Sequence, residues 1–165
     1  MQNKLHTCCF TGHRAIPEDD LDRLKLELND TLVSLIENGI SYFRAGGALG
    51  FDTICAQTVL SLKKIYPHIK LTLVLPCLNQ TAKWQQEDKD VYEDIKSKAD
   101  EVVYTSEHYF RGCMQVRNRA LVDESSVAVC YLTQINGGTA YTVKYAQKNG
   151  LTIVNLADKQ KKIDM

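Results

Sequence analysis

Residues 40–52 read ISYFRAGGALGFD. A short apolar run rich in β-forming residues stops at paired glycines, and an amphipathic segment starts at Phe51 and runs to about Ile65, ahead of Pro67. Strand, glycine turn and helix in that order form the unit of a parallel sheet, in which each strand returns through a crossover helix. The same unit recurs on both sides. HTCCFTG (6–12) is a buried strand ending in a turn. A helix follows over about 19–38, with Leu21, Leu24, Leu28, Leu32, Leu35 and Ile36 at steps of three and four, Pro17 at its entrance and Gly39 past its end. Downstream, LTLVLP (71–76), EVVYT (101–105), SVAVCYL (126–132) and LTIVNL (151–156) read as strands. Helices near 86–98, 114–123 and 139–149 alternate with them. Six strands of nearly continuous apolar character predict an α/β, Rossmann-like, doubly wound fold: a mainly parallel six-stranded sheet with helices on both faces.

The chain has 165 residues, of which 44% are hydrophobic and 24% charged, so it can bury a core and is not a disordered chain. With no repeat, linker or low-complexity tract, it reads as one domain over 1–165, with its core at about 5–156 and a short, frayed C-terminal tail, DKQKKIDM (158–165). Twenty basic residues balance twenty acidic ones, which disfavours nucleic acid as the main partner. No apolar run is long enough to span a membrane, and the N-terminus lacks a secretory pattern, so no membrane partner and a cytoplasmic location are expected. The six cysteines form no C-x-x-C pair and mostly sit in apolar runs. They are expected to be reduced, buried and without metal.

Ligands of doubly wound sheets bind beyond the carboxyl ends of the strands, so the loops after strands carry the function. After the first strand, TGHR (11–14) offers Gly12 for a tight turn and His13 and Arg14 as polar groups, or only a turn beside surface charges. After the second, Gly46, Gly47 and Gly50 precede a helix, leaving backbone N–H groups for a phosphate or ribose. The pattern matches neither the dinucleotide fingerprint nor the P-loop. Asp52 there is a ligand for a sugar hydroxyl, or a first-turn carboxylate that suits the helix dipole. Trp84, in LNQTAKWQQ (78–86), stacks on a base or packs over a helix end. Arg117, Asn118 and Arg119 suit phosphate and ribose oxygens. In NGGTAYT (136–142), Gly137 and Gly138 permit close backbone approach and Thr139 caps the helix or bonds a phosphate.

In their order along the chain, TGHR, AGGALGFD, the proline-to-tryptophan stretch, VRNRALVD and NGGTAYTVKYA resemble the YpsA-like family of the SLOG superfamily, over roughly 7–155. That superfamily groups the Smf/DprA Rossmann domains with the LOG proteins. The resemblance implies a Rossmann-like fold, a pocket for nucleotides or nucleotide-derived ligands, and association into a homo-oligomer. It carries the binding role to Gly12, Arg14, Gly46, Gly47, Gly50, Asp52, Arg117, Asn118, Arg119, Gly137, Gly138 and Thr139.

Two branches of the superfamily imply different chemistry. LOG enzymes release a base from nucleoside monophosphates through a PGGxGTxxE loop. Here Asn136 replaces the proline, one glycine is missing, and no Asp or Glu occurs between Gly137 and Gly150, so an N-glycosidic hydrolase would need Asp52, Asp123 or Glu124. The DprA branch, which binds single-stranded DNA, has an arginine where this chain has Leu49. The expectation is therefore a binder of a nucleotide or ADP-ribose-like molecule, acting as a sensor or accessory protein without a required cofactor. The glycine turns cradle phosphate, Arg117 and Arg119 neutralise it, and His13 is the candidate proton-transfer group if there is turnover.

Overall fold

A computed structural model of the chain describes residues 3–157. The tail expected at 158–165 lies outside the described residues. Strands β1 (Thr7–Gly12), β2 (Tyr42–Ala45), β3 (Lys70–Leu75), β4 (Glu101–Tyr104), β5 (Val127–Tyr131) and β6 (Thr152–Asn155) form one sheet in the order β4-β3-β2-β1-β5-β6. Each neighbouring pair is parallel. Helices α1 (Leu21–Glu37), α2 (Phe51–Lys63), α3 (Gln86–Lys98), α4 (Cys113–Asp123) and α5 (Gly138–Lys148) connect them.

The burial pattern explains the layers. Thr7 to Thr11 are buried without a break, as a central strand covered on both faces requires. Cys8 and Phe10 point to one side with Phe43, Leu71, Leu73, Leu75, Val129 and Tyr131, where α1, α2 and α3 pack. The rings of Phe10 and Phe43 stack there at 6.0 Å. The leucine stripe of α1 behaves as its spacing demands: Leu24, Leu28, Leu32 and Ile36 are buried, while Leu21 and Leu35 lie at the stripe's margins, partly exposed. Cys9 and Ala128 point the other way, against Leu121 and Val122 of α4 and Ala146 of α5. Burial of each such leucine contributes about 1.5–3 kcal/mol. All six cysteines are buried free thiols.

A buried polar knot ties α1 to the sheet. Asp20, 2% exposed, accepts hydrogen bonds from Tyr131 Oη (2.6 Å) and from Arg23 Nε (2.6 Å), and Arg23 also donates to the Leu156 carbonyl (2.7 Å). Asp20 belongs to a single 3-10 turn, Glu18–Asp20, that leads into α1 where the sequence predicted helix directly.

The connections place the site. From β1 the chain adds β2, β3 and β4 on one side, then returns through α4 to lay β5 on the other side of β1. Strand order therefore reverses between β1 and β5, and the loops leaving these strands diverge to open a crevice.

Candidate functional site

At that crevice lies a cleft of about 390 Å³. The end of β1 and the loop after it supply Thr11, Gly12, His13 and Arg14, the loop after β5 and the start of α5 supply Gln134, Asn136, Gly137, Gly138 and Thr139, and α4 closes the floor with Arg117 and Asn118. Asp52 and Trp84 complete the set brought together from the sequence, whereas Gly46, Gly47, Gly50 and Arg119 do not line the cleft.

The turn into α5 is open. Gly137 holds φ +105°, a conformation that favours glycine, and a methyl group at Gly137 or Gly138 would meet nothing within 4 Å. No side chain caps the helix. The first N–H groups of α5 have no acceptor within the helix, and the positive end of its dipole points the same way. Thr139, 8% exposed, follows at the second helical position.

The turn into α2 is closed. A methyl group on Gly50 would lie 2.1 Å from the Arg14 carbonyl oxygen, and one on Gly47 would lie 2.5 Å from Leu75. Gly12 is held just as tightly, 2.4 Å from the Phe51 ring. Several polar groups of this turn already have partners. Phe51 N–H donates to the His13 carbonyl (3.1 Å), Ala48 N–H donates to Asp52 Oδ2 (3.2 Å), and the Gly46 carbonyl accepts from Arg117 Nη1. Only Ala48 of this loop joins Asp52 in lining the cleft.

Beneath the floor, Asp52 (7% exposed) and Arg117 (6% exposed) flank Gly46. Burial pushes the Asp52 carboxyl up to about 6, partly offset by Arg117 and by the Ala48 N–H bond. Burial lowers the Arg117 pKa, with Asp52 acting in the opposite direction. Arg117 also donates from Nε to Asn118 Oδ1 at 2.8 Å. Arg119 departs from the expected role. It faces outward and donates to Tyr141 Oη at 2.9 Å. The reason is geometric: Arg117 and Arg119 both lie within α4, and residues two apart on a helix point in nearly opposite directions.

His13 Nε2 accepts a hydrogen bond from the Thr133 N–H at 2.9 Å, which stitches the β1 loop to the β5 loop. Burial lowers its pKa, and because Nε2 accepts here the ring proton belongs on Nδ1. Arg14 is exposed, with its guanidinium 5.9 Å from the centre of the Trp84 ring, and Trp84 meets Tyr92 edge-on at 5.4 Å. Of the carboxylates considered for bond cleavage, Asp52 alone reaches the cleft. Asp123 accepts from Tyr145 Oη (2.7 Å), and Glu124 lines a separate groove with Tyr42 and Lys70, at the amino ends of β2 and β3. Gln80, Met114 and Gln134 also line the cleft, and nothing in their sequence context distinguished them. Among the described residues, no group of three His, Cys, Asp or Glu side chains gathers to hold a metal ion, and no helix is long and apolar enough to cross a membrane.

Residues 9–156 match the YpsA family model, described as the YspA SLOG family. The chain belongs to this family. A UPF0398 protein of Brevibacillus brevis is 31% identical over 128 residues, covering 76% of this chain and 68% of the relative. Among solved structures, DNA processing protein A of Helicobacter pylori, described for its single-stranded DNA binding mode, superimposes with a TM-score of 0.66 at 20% identity. The match covers 92% of this chain and 65% of that one. DNA processing protein A of Streptococcus pneumoniae gives 0.68 at 17% identity, over 92% and 50% of the two chains. This chain thus spans half to two-thirds of those proteins, and the likeness is one of fold. SLOG membership agrees with the family that the five motifs resemble.

Proposed function

We propose that this SLOG protein binds a nucleotide or nucleotide-derived small molecule in the cleft above β1 and β5, with its phosphate at the α5 N-terminus. The observation that carries the reading is the open glycine turn: Gly138 has no packing neighbour that excludes a side chain, yet it borders the cleft at a helix start that no side chain caps. Arg14 supplies an exposed cation and Trp84 an aromatic face. Arg117 acts from below, holding the Gly46 carbonyl and facing Asp52. The role is that of a sensor or accessory protein, in which occupancy of the cleft is the signal.

The test is a thermal-shift and calorimetry screen with nucleoside mono-, di- and triphosphates, NAD and ADP-ribose. A ligand at 100 times its Kd stabilises the fold by about 2.7 kcal/mol, which raises the melting temperature by several degrees. Gly138→Asp cuts this shift to about half or less by placing a carboxylate where the phosphate sits. A nucleotide shift of the same size in that variant removes the α5 cradle from the reading.

A second reading, hydrolysis of an N-glycosidic bond, draws on Asp52 as a buried carboxyl whose raised pKa suits proton transfer. Release of free base from a nucleoside monophosphate, followed by chromatography and lost in Asp52→Asn, would establish it. The single-stranded DNA binding named for the H. pylori protein has less support here, because Arg14 and Arg117 are the only cations lining the cleft among the described residues and Arg117 is buried.

A further inference from the structure

Trp84 is the wall of a second space. On the far side of its indole lies a groove of about 460 Å³, bounded by the start of α1, the first turns of α2 and the middle of α3. Arg14 and Trp84 line both this groove and the cleft, so the two spaces adjoin at these side chains. The ring is braced by its edge-on contact with Tyr92.

The two spaces differ in chemistry. The cleft offers helix N–H groups, Arg14 and buried Arg117. The groove has apolar walls from Ile16, Leu49, Ile54 and Val91, with Gln57 and Asp88 among its hydrogen-bonding groups beside Thr53 and Tyr92. Leu49 is informative, because it stands where the DprA motif that this loop resembles has arginine. Leucine there puts an apolar side chain, in place of a cation, on the groove wall. Apolar walls with a few polar groups, an amide and a carboxylate among them, suit a nitrogen heterocycle: the carboxylate accepts from a ring amino or amide N–H, and the amide both donates and accepts.

We infer that the ligand has two ring-bearing ends, in the manner of a dinucleotide, with one nucleoside and the phosphates in the cleft and the second heterocycle in the groove beyond Trp84. The inference rests on the nucleotide-binding reading above and narrows it to a ligand class. Trp84 stacks on the ligand where it passes from one space to the other, and Arg14 neutralises phosphate at the same point.

The experiment is calorimetry of the full chain with AMP, ADP-ribose, NAD and diadenosine diphosphate, on wild type, Val91→Glu and Ile16→Glu. Val91 is 38% exposed and lies outside the cleft, so a glutamate there alters the groove while leaving the fold intact, as an unchanged melting temperature verifies. In wild type the two-ring ligands bind about tenfold more tightly than ADP-ribose, which lacks the second heterocycle. Either glutamate removes that advantage and leaves AMP affinity within about twofold. Two-ring ligands that bind no better than ADP-ribose overturn the inference while leaving the nucleotide reading in place. Equal weakening of AMP and the two-ring ligands also overturns it, by placing the base of a mononucleotide in the groove. Wild type that binds none of the four overturns the inference and the nucleotide reading together.

Discussion

The turns at 45–52 and 136–139 look alike in sequence, each a run of glycines between a parallel strand and its helix, yet the fold uses them for opposite ends. In the first, glycine is required by what lies against it: the Arg14 carbonyl at Gly50 and Leu75 at Gly47 leave no room for a methyl group. In the second, Gly138 has empty space in front of it and a helical backbone that any residue could adopt. At Gly138 no packing neighbour of the chain excludes a side chain, which leaves room in front of the helix start for a ligand. The first turn is therefore read as framework and the second as the place for a ligand.

The largest effect that would sharpen this contrast is on stability. Gly50→Ala places a methyl group 2.1 Å from a backbone oxygen at φ +78°. It is expected to cost about 3 kcal/mol and to lower the melting temperature by roughly 10 °C. A variant that melts like wild type would show that the first turn is as loose as the second.

Next comes the carboxyl that the closed turn encloses. Asp52 is pushed up to about 6 in the folded protein against an ordinary value near 3.8. Between those values the folded state holds a proton that the unfolded state has released. Stability from this group is therefore full below about pH 4, falls as pH rises to about 6 and is level above that. The loss amounts to about 2–3 kcal/mol. Urea unfolding at pH 4.5 and 7.5 should show this extra decline in wild type and not in Asp52→Asn. Identical declines in the two proteins would give Asp52 an ordinary pKa.

Smaller in energy is Gly138→Asp. It leaves stability within about 0.5 kcal/mol, because an acidic residue suits a helix N-terminus. Nucleotide affinity in calorimetry nevertheless falls by about tenfold or more, the loss of one charge-assisted contact. A stability loss with intact affinity would invert the contrast between the turns. The least effect is expected from Arg119→Ala, which removes an outward-facing partner of Tyr141 and leaves nucleotide affinity and melting temperature unchanged. A marked loss of affinity there would restore Arg119 to the site.

Much of the architecture was legible because periodicity reports burial directly. Leu24, Leu28, Leu32 and Ile36 could only form the buried stripe of a helix, and the uninterrupted apolar run at 127–131 could only be a strand covered on both faces. The loops bordering the cleft were legible for a related reason, since a parallel sheet gathers the carboxyl ends of its strands along one edge. Individual roles were not. Arg117 and Arg119 look equivalent in a string, but a helical rotation sends one under the floor and the other to the surface. His13 reads as a reactive group, but its Nε2 is committed to the Thr133 backbone, a contact spanning 120 residues of chain.

The sequence by itself determined the alternation of strands and helices, the parallel sheet and the edge at which the functional loops meet, because these follow from local patterns of burial and turn chemistry. Only the tertiary structure decided which glycine turn was open, how Asp52 and Arg117 came to flank Gly46 beneath the cleft, and that Trp84 borders two separate spaces. Those outcomes depend on which atoms occupy the space in front of a residue, and such neighbours come from distant parts of the chain.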